Sequence, residues 1–175
     1  SIVIFISLLG LSFAAHHLEM CAQEELITDV TLSIYVDEDA SMAKFVITGP
    51  STAWFAYGIG NDRMNGTYAI IGYGSTLAVQ ERILGDSQAG PPTTAGWELT
   101  TNNERSMDDS NGVRTISIEV PYSFSRAKDL QSFIDCTSPD YEMDIIAAHG
   151  TSTDFFPSYH GYGEEHRAIG TIMNM

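Results

Sequence analysis

Two runs of alternating aromatic and apolar residues, Trp54 to Ile59 and Tyr68 to Tyr73, flank the segment Gly60-Asn61-Asp62-Arg63-Met64-Asn65-Gly66. Alternation with period 2 is the pattern of a β-strand, and glycine, asparagine and aspartate between two such runs are turn chemistry. The stretch therefore predicts two strands joined by a connection that carries Met64. Methionine ordinarily fills gaps in a core. One held on a turn between strands is out of place for that role.

The same period recurs along the chain. Val30, Leu32, Ile34 and Val36 alternate with Thr31, Ser33 and Tyr35, a half-buried strand ending in the acidic turn Asp37-Glu38-Asp39. Lys44 to Thr48 predicts a short strand stopped by Gly49-Pro50, and Thr76 to Leu84 another. Gly85 to Gly96, with Pro91-Pro92, reads as a loop, Trp97 to Thr101 as a strand and Asn102 to Gly112 as a polar turn. From Val113 the alternation is clean, with Ile116, Ile118 and Val120 on one face. Ser125 to Phe133 reads as a short helix or irregular turn. Asp144 to His149 and Ala168 to Met173 complete the strands. About nine or more short strands with frequent turns and no sustained helical period predict an all-β fold. The expected architecture is an antiparallel β-sandwich of the immunoglobulin-like two-sheet kind.

At 175 residues and 43% hydrophobic content the chain can bury the core of one domain. With 23 acidic against 8 basic residues its formal charge is −15, which argues against nucleic acid or an anionic membrane as partner. Residues 1–14 are uncharged and apolar, ending Ser12-Phe13-Ala14, the pattern of a secretory signal with its cleavage site. The run lacks a leading Met and a basic n-region, so it reads as the trailing part of a longer leader, with the folded domain over residues 22–175. No later segment is apolar enough to cross a membrane as a helix. In the oxidising compartment that a signal implies, Cys21 and Cys136 are expected to form one disulfide. No Cys-x-x-Cys-His motif, nucleophile elbow, P-loop or paired-carboxylate context is present, so covalent haem attachment and hydrolase chemistry find no support.

Several stretches together resemble the DOMON domain, a secreted β-sandwich found in extracellular b-type cytochromes and related redox proteins. They are Trp54 through Gly60, then Met64-x-Gly66-Thr67, then Ser123 through Arg126, and Asp144 through Ala148 with Tyr159-His160 beyond it. The pieces occur in the family's order and span roughly Leu26 to Met173; Tyr68 stands where many members carry an aspartate. By that resemblance, Met64 and His160 are the axial ligands of a non-covalent, six-coordinate haem b, with Trp54, Tyr68 and Tyr159 lining it. His149 and His166 are the alternative imidazoles. A thioether and an imidazole filling both axial positions leave no open site on the iron, which suits one-electron transfer and not catalysis.

The resemblance thus implies a secreted electron carrier whose redox partner is a flavin dehydrogenase or a membrane cytochrome, with room for a homo-oligomer. The family also contains haem-free members, so a carbohydrate-binding or adhesion module is the alternative. In that case Trp54, Trp97 and the tyrosines would be sugar-stacking platforms. Asn65-Gly66-Thr67 is a glycosylation sequon beside Met64, and the haem reading needs it empty or turned away.

Overall fold

The computed structural model describes residues 18–37, 39–64, 66–73, 78–85, 97–98, 103–121, 142–151 and 167–173. They form eleven strands. These are β1 (Glu19–Ile27), β2 (Val30–Asp37), β3 (Met42–Pro50), β4 (Phe55–Ile59), β5 (Tyr68–Tyr73), β6 (Ala78–Ile83), β7 (Trp97–Glu98), β8 (Glu104–Ser110), β9 (Val113–Pro121), β10 (Glu142–His149) and β11 (Arg167–Met173). One sheet runs β1-β2-β3-β9-β8 and the other β11-β10-β4-β5-β6-β7, with every pair antiparallel. The molecule is the expected β-sandwich.

Alternation accounts for the inner strands. Leu32 and Ile34 of β2, Phe45 and Ile47 of β3, and Ile116, Ile118 and Val120 of β9 are fully buried. They meet Phe55, Tyr57, Ile59, Tyr68 and Ile70 of the facing sheet in one apolar cluster. Burial of each such side chain is worth about 1.5–3 kcal/mol, offset by the entropy of ordering the chain.

Two readings of the sequence are corrected here. Asn102 to Gly112 is not a turn throughout, because Glu104–Ser110 pairs with β9 along its whole length, and the turn is confined to Asn111 and Gly112. Gly49-Pro50 does not stop β3, whose register runs on to Pro50 opposite Val113. Gly49 serves packing between the sheets, since a Cβ there would lie 2.5 Å from Cδ1 of Phe55. β1 was not foreseen at all. The loop read over 86–96 and the short helix or irregular turn read over 125–133 fall outside the described residues.

Tyr57 bolts the sheets together. Its hydroxyl donates to the Val30 carbonyl at 2.8 Å and accepts from the Leu26 amide at 3.2 Å. Burial pushes its pKa up to about 12. The unfolded chain releases that proton near pH 10 while the folded chain keeps it, so this stability is complete below pH 10 and is lost as pH rises toward 12. Alkaline denaturation is expected to cost about 2–3 kcal/mol from Tyr57 over this range. Tyr57→Phe should flatten that pH dependence while lowering stability near neutrality by about 1–3 kcal/mol. Urea titrations of both proteins between pH 8 and 12 check it, and parallel curves would refute it.

Candidate functional site

The Met64 connection leaves β4 at Ile59 and returns at Tyr68, which are directly opposed. It is clamped on both flanks. The Gly60 amide donates to the Asp144 carbonyl at 2.9 Å, the Gly66 amide to Leu84 at 2.9 Å, and the Leu84 amide to Thr67 at 2.8 Å. Within the turn the Thr67 amide donates to the Met64 carbonyl at 3.0 Å, and the Thr67 hydroxyl donates to the Arg63 carbonyl. Gly60 and Gly66 have φ of 80° and 77°, the left-handed region where glycine carries no Cβ penalty. Met64 itself is half-buried.

Register sorts the neighbouring side chains by face. Phe55, Tyr57, Ile59, Tyr68 and Ile70 point into the sandwich. The opposite, outer face of the six-stranded sheet carries two rows across β10, β4, β5 and β6. The row beside the Met64 turn is Ile146, Gly58, Ala69 and Arg82, and the next is Ala148, Ala56, Ile71 and Gln80. Both faces of β4 and β5 are withdrawn from solvent, with Ala69 and Ile71 each 1% exposed. The central residues of this face, Gly58, Ala56 and Ala69, are small, and neighbouring side chains close over Gly58. A Cβ on Gly58 would lie 2.6 Å from Cγ1 of Ile146 and 2.8 Å from Cγ2 of Thr67.

Trp54 belongs to this outer face, packed with Ala56 and Ile71 at the end of β4 away from Met64. Its carbonyl accepts from the Gly150 amide at 2.9 Å, and a Cβ on Gly150 would overlap its indole. Tyr68 lies on the other face. Its hydroxyl donates to Oε1 of Glu81 at 2.6 Å, and burial, then the Glu81 carboxylate, hold its pKa well above the ordinary tyrosine value. Glu81 is fully buried and also accepts from Nδ2 of Asn103 at 2.8 Å and Nη2 of Arg105 at 2.7 Å.

His149 ends β10 opposite Phe55, with Nδ1 3.0 Å from the Gly150 carbonyl oxygen. Four strand steps, about 14 Å, separate that position from the Ile59 end where the Met64 turn begins. The structure therefore does not bring His149 to Met64. Tyr159, His160, His166 and Cys136 lie outside the described residues. Cys21 is buried in β1, and no cysteine is free among the described residues.

Arg82 had not been singled out in the sequence, although it is 8% exposed and in register with Ala69. Nothing in its alternating segment marks it, since it sits on the polar parity with Gln80. Glu81 was legible in principle, as the one charge sharing a parity with Val79 and Ile83.

No protein-family model matches the sequence. No curated protein matches it either. Among solved structures the chain is similar to the cytochrome domain of Myriococcum thermophilum cellobiose dehydrogenase, with a TM-score of 0.55 and 9% identity over 89% of this chain and 82% of that one. It is also similar to the cytochrome b domain of pyranose dehydrogenase from Coprinopsis cinerea, with a TM-score of 0.49 and 16% identity over 87% and 86% of the two chains. At such identities the likeness to the first is one of fold, and the fold shared is that of a cytochrome domain from a redox enzyme.

Proposed function

We propose that this chain is a secreted b-type cytochrome domain of the DOMON kind, holding haem b on the outer face of its six-stranded sheet between Met64 and His160. The observation that carries the reading is the row of small, apolar residues Gly58, Ala56, Ala69 and Ala148 on one face beside a hydrogen-bond-clamped methionine turn. The residues present fit such a group. Their side chains are small and apolar, Met64 offers a soft donor, and Arg82 supplies a buried cation.

Chain length permits His160 to serve. The connection from β10 to β11 begins and ends at the Phe55 end of the sheet, because Ala148 opposes both Ala56 and Arg167. Eleven residues from His149 reach up to about 36 Å and seven back from Arg167 about 23 Å, against the roughly 14 Å to be crossed. His166 precedes Arg167 by one peptide bond and has no such reach.

When bound, haem with both axial positions filled supplies one-electron transfer. The protein's own part is to position two ligands, exclude water from the outer face and present a docking edge to a redox partner, a flavin dehydrogenase or a membrane cytochrome. Trp54 and Tyr159 would border the group, and Tyr68 would support it through the Glu81 network beneath the sheet. A sugar-binding module would want Trp54 as an open platform. Trp54 is 3% exposed, which disfavours that alternative. Among the described residues no helix is long and apolar enough to cross a membrane.

The test is the absorption spectrum of protein expressed with haem supplied. A Soret band with the sharp visible bands of a low-spin reduced b-type centre is expected, and its absence would sink the proposal. Secretion further implies the Cys21–Cys136 disulfide. Intact mass should then rise by two hydrogens on reduction, and thiols that alkylate without a reductant would contradict the pairing.

A further inference from the structure

We infer that the outer face of β11, with the β10 residues beside it, is a docking surface for a basic protein. The inference goes beyond the haem reading and does not need it, since none of these residues is offered as a ligand. β11 is an edge of the six-stranded sheet among the described residues. Its inward parity is taken up by the core: Ile172 is fully buried, Ala168 packs against the same cluster, and a Cβ on Gly170 would overlap Leu26. The other parity carries Arg167, Ile169, Thr171 and Met173, all exposed, with Ile169 at 66% and Met173 at 58%.

An exposed edge strand is ordinarily guarded by charged side chains. β8, an edge of the other sheet, follows that rule and presents Glu104, Ser106, Asp108 and Ser110. β11 departs from it by showing two large apolar side chains four strand steps, about 14 Å, apart. Half-buried Ile146 lies opposite Ile169, so these side chains form a ridge and are not scattered single residues.

The charges beside the ridge select its occupant. Register sets Asp144 opposite Thr171 and Glu142 opposite Met173. Both are exposed, and neither carboxylate has an ion pair or hydrogen bond among the described residues. Lys44, Arg63, Arg105 and Arg114, by contrast, are each paired with a carboxylate of the chain itself. Arg167 bounds the patch at the other end, beyond Ile169. A second copy of a chain of formal charge −15 brings like charge to Glu142 and Asp144, whereas lysines or arginines around an apolar centre complement both features. The patch adjoins the Met64 turn, because the Asp144 carbonyl accepts the Gly60 amide at 2.9 Å.

The test uses mitochondrial cytochrome c, a basic protein, titrated into the full chain at low ionic strength and followed by calorimetry. Saturable binding is expected. Ile169→Thr with Met173→Thr leaves every charge in place and should weaken it about tenfold. Glu142→Gln with Asp144→Asn should weaken it about three- to tenfold, with the difference shrinking as salt is added. Glu104→Gln with Asp108→Asn removes the same charge from the opposite sheet and should change the affinity by about twofold at most. All these positions are exposed, and circular dichroism checks that each variant folds. Should the paired threonine variant lose its fold, Ile169→Thr alone decides.

Equal losses from the two charge-removing pairs, or no loss from the threonine pair, would reveal diffuse attraction to an acidic surface and overturn the inference. Absence of binding does the same. Dimerisation of the protein alone, abolished by Ile169→Thr, would assign the ridge to a second copy and overturn it as well. No readout here depends on a Soret band, so failure of either the docking or the haem reading leaves the other standing.

Discussion

His160→Ala, expressed with haem supplied, should yield folded protein without a Soret band, whereas His149→Ala and His166→Ala should keep the wild-type spectrum. The contrast follows from where the sheet puts its ends. Two ligands of one iron must each come within about 2 Å of it, slightly more for sulfur. His149 opposes Phe55, and Met64 lies beyond Ile59, so the length of β4 separates them. Of the three histidines that follow Met64, His160 is the one well inside the connection between β10 and β11, with the chain length to reach that end. Met64→His should keep a low-spin centre but lower its midpoint potential, because imidazole favours ferric iron more than thioether does. Retention of a normal Soret band in His160→Ala, or its loss in His149→Ala, would reject the assignment. A potential that does not fall in Met64→His would remove Met64 from the coordination shell.

The largest expected loss of stability comes from the opposite face. Glu81 is buried without exposure, and Tyr68 of β5, Asn103 just before β8 and Arg105 of β8 all converge on its carboxylate. Arg105 reaches it from the other sheet, and Nη1 of the same guanidinium donates to the Val79 carbonyl at 3.3 Å. Removing Glu81 leaves a phenol, an amide and a guanidinium without their shared acceptor. Glu81→Ala is therefore expected to cost on the order of 3–5 kcal/mol, toward the lower end because the Arg105 side chain is 25% exposed. Replacing both partners with methionine should cost less than the Glu81 substitution alone, since no uncompensated charge then remains. Chemical denaturation of the single and double variants checks this. A loss below about 1 kcal/mol for Glu81→Ala, or additive effects in the double variant, would show the network to be dispensable.

The sheet interior was legible in the residues because a strand with one buried face must alternate. β2, β3, β4, β5, β9, β10 and β11 were all read near their observed positions on that ground. β1 and β8 were missed for a shared physical reason: both are the edges of the five-stranded sheet. Glu104–Ser110 keeps only Arg105, Met107 and Asp109 on the inward parity, and two of those are charged. Its inward polar groups are compensated by Glu81, far off in sequence, for Arg105 and by the cross-hairpin partner Arg114 for Asp109. The Asp109–Arg114 pair also holds the aspartate pKa below its usual range. No local pattern encodes the Glu81 partner of Arg105, which lies 24 residues away.

For the candidate site, turn chemistry alone placed Met64 on a connection between two strands. Which side of the sheet each neighbour faces depended on cross-strand register. Ile59 opposite Tyr68 sends Tyr68 inward to Glu81, while Trp54, of the parity of Ala56 and Gly58, goes to the outer face. Composition and spacing could name a tryptophan and a tyrosine near the turn, but side-chain direction in a strand reverses with a register shift of one residue. Burial of Arg82 came later still, because a charge on the polar parity of β6 is withdrawn from solvent only once the sheet has folded around it.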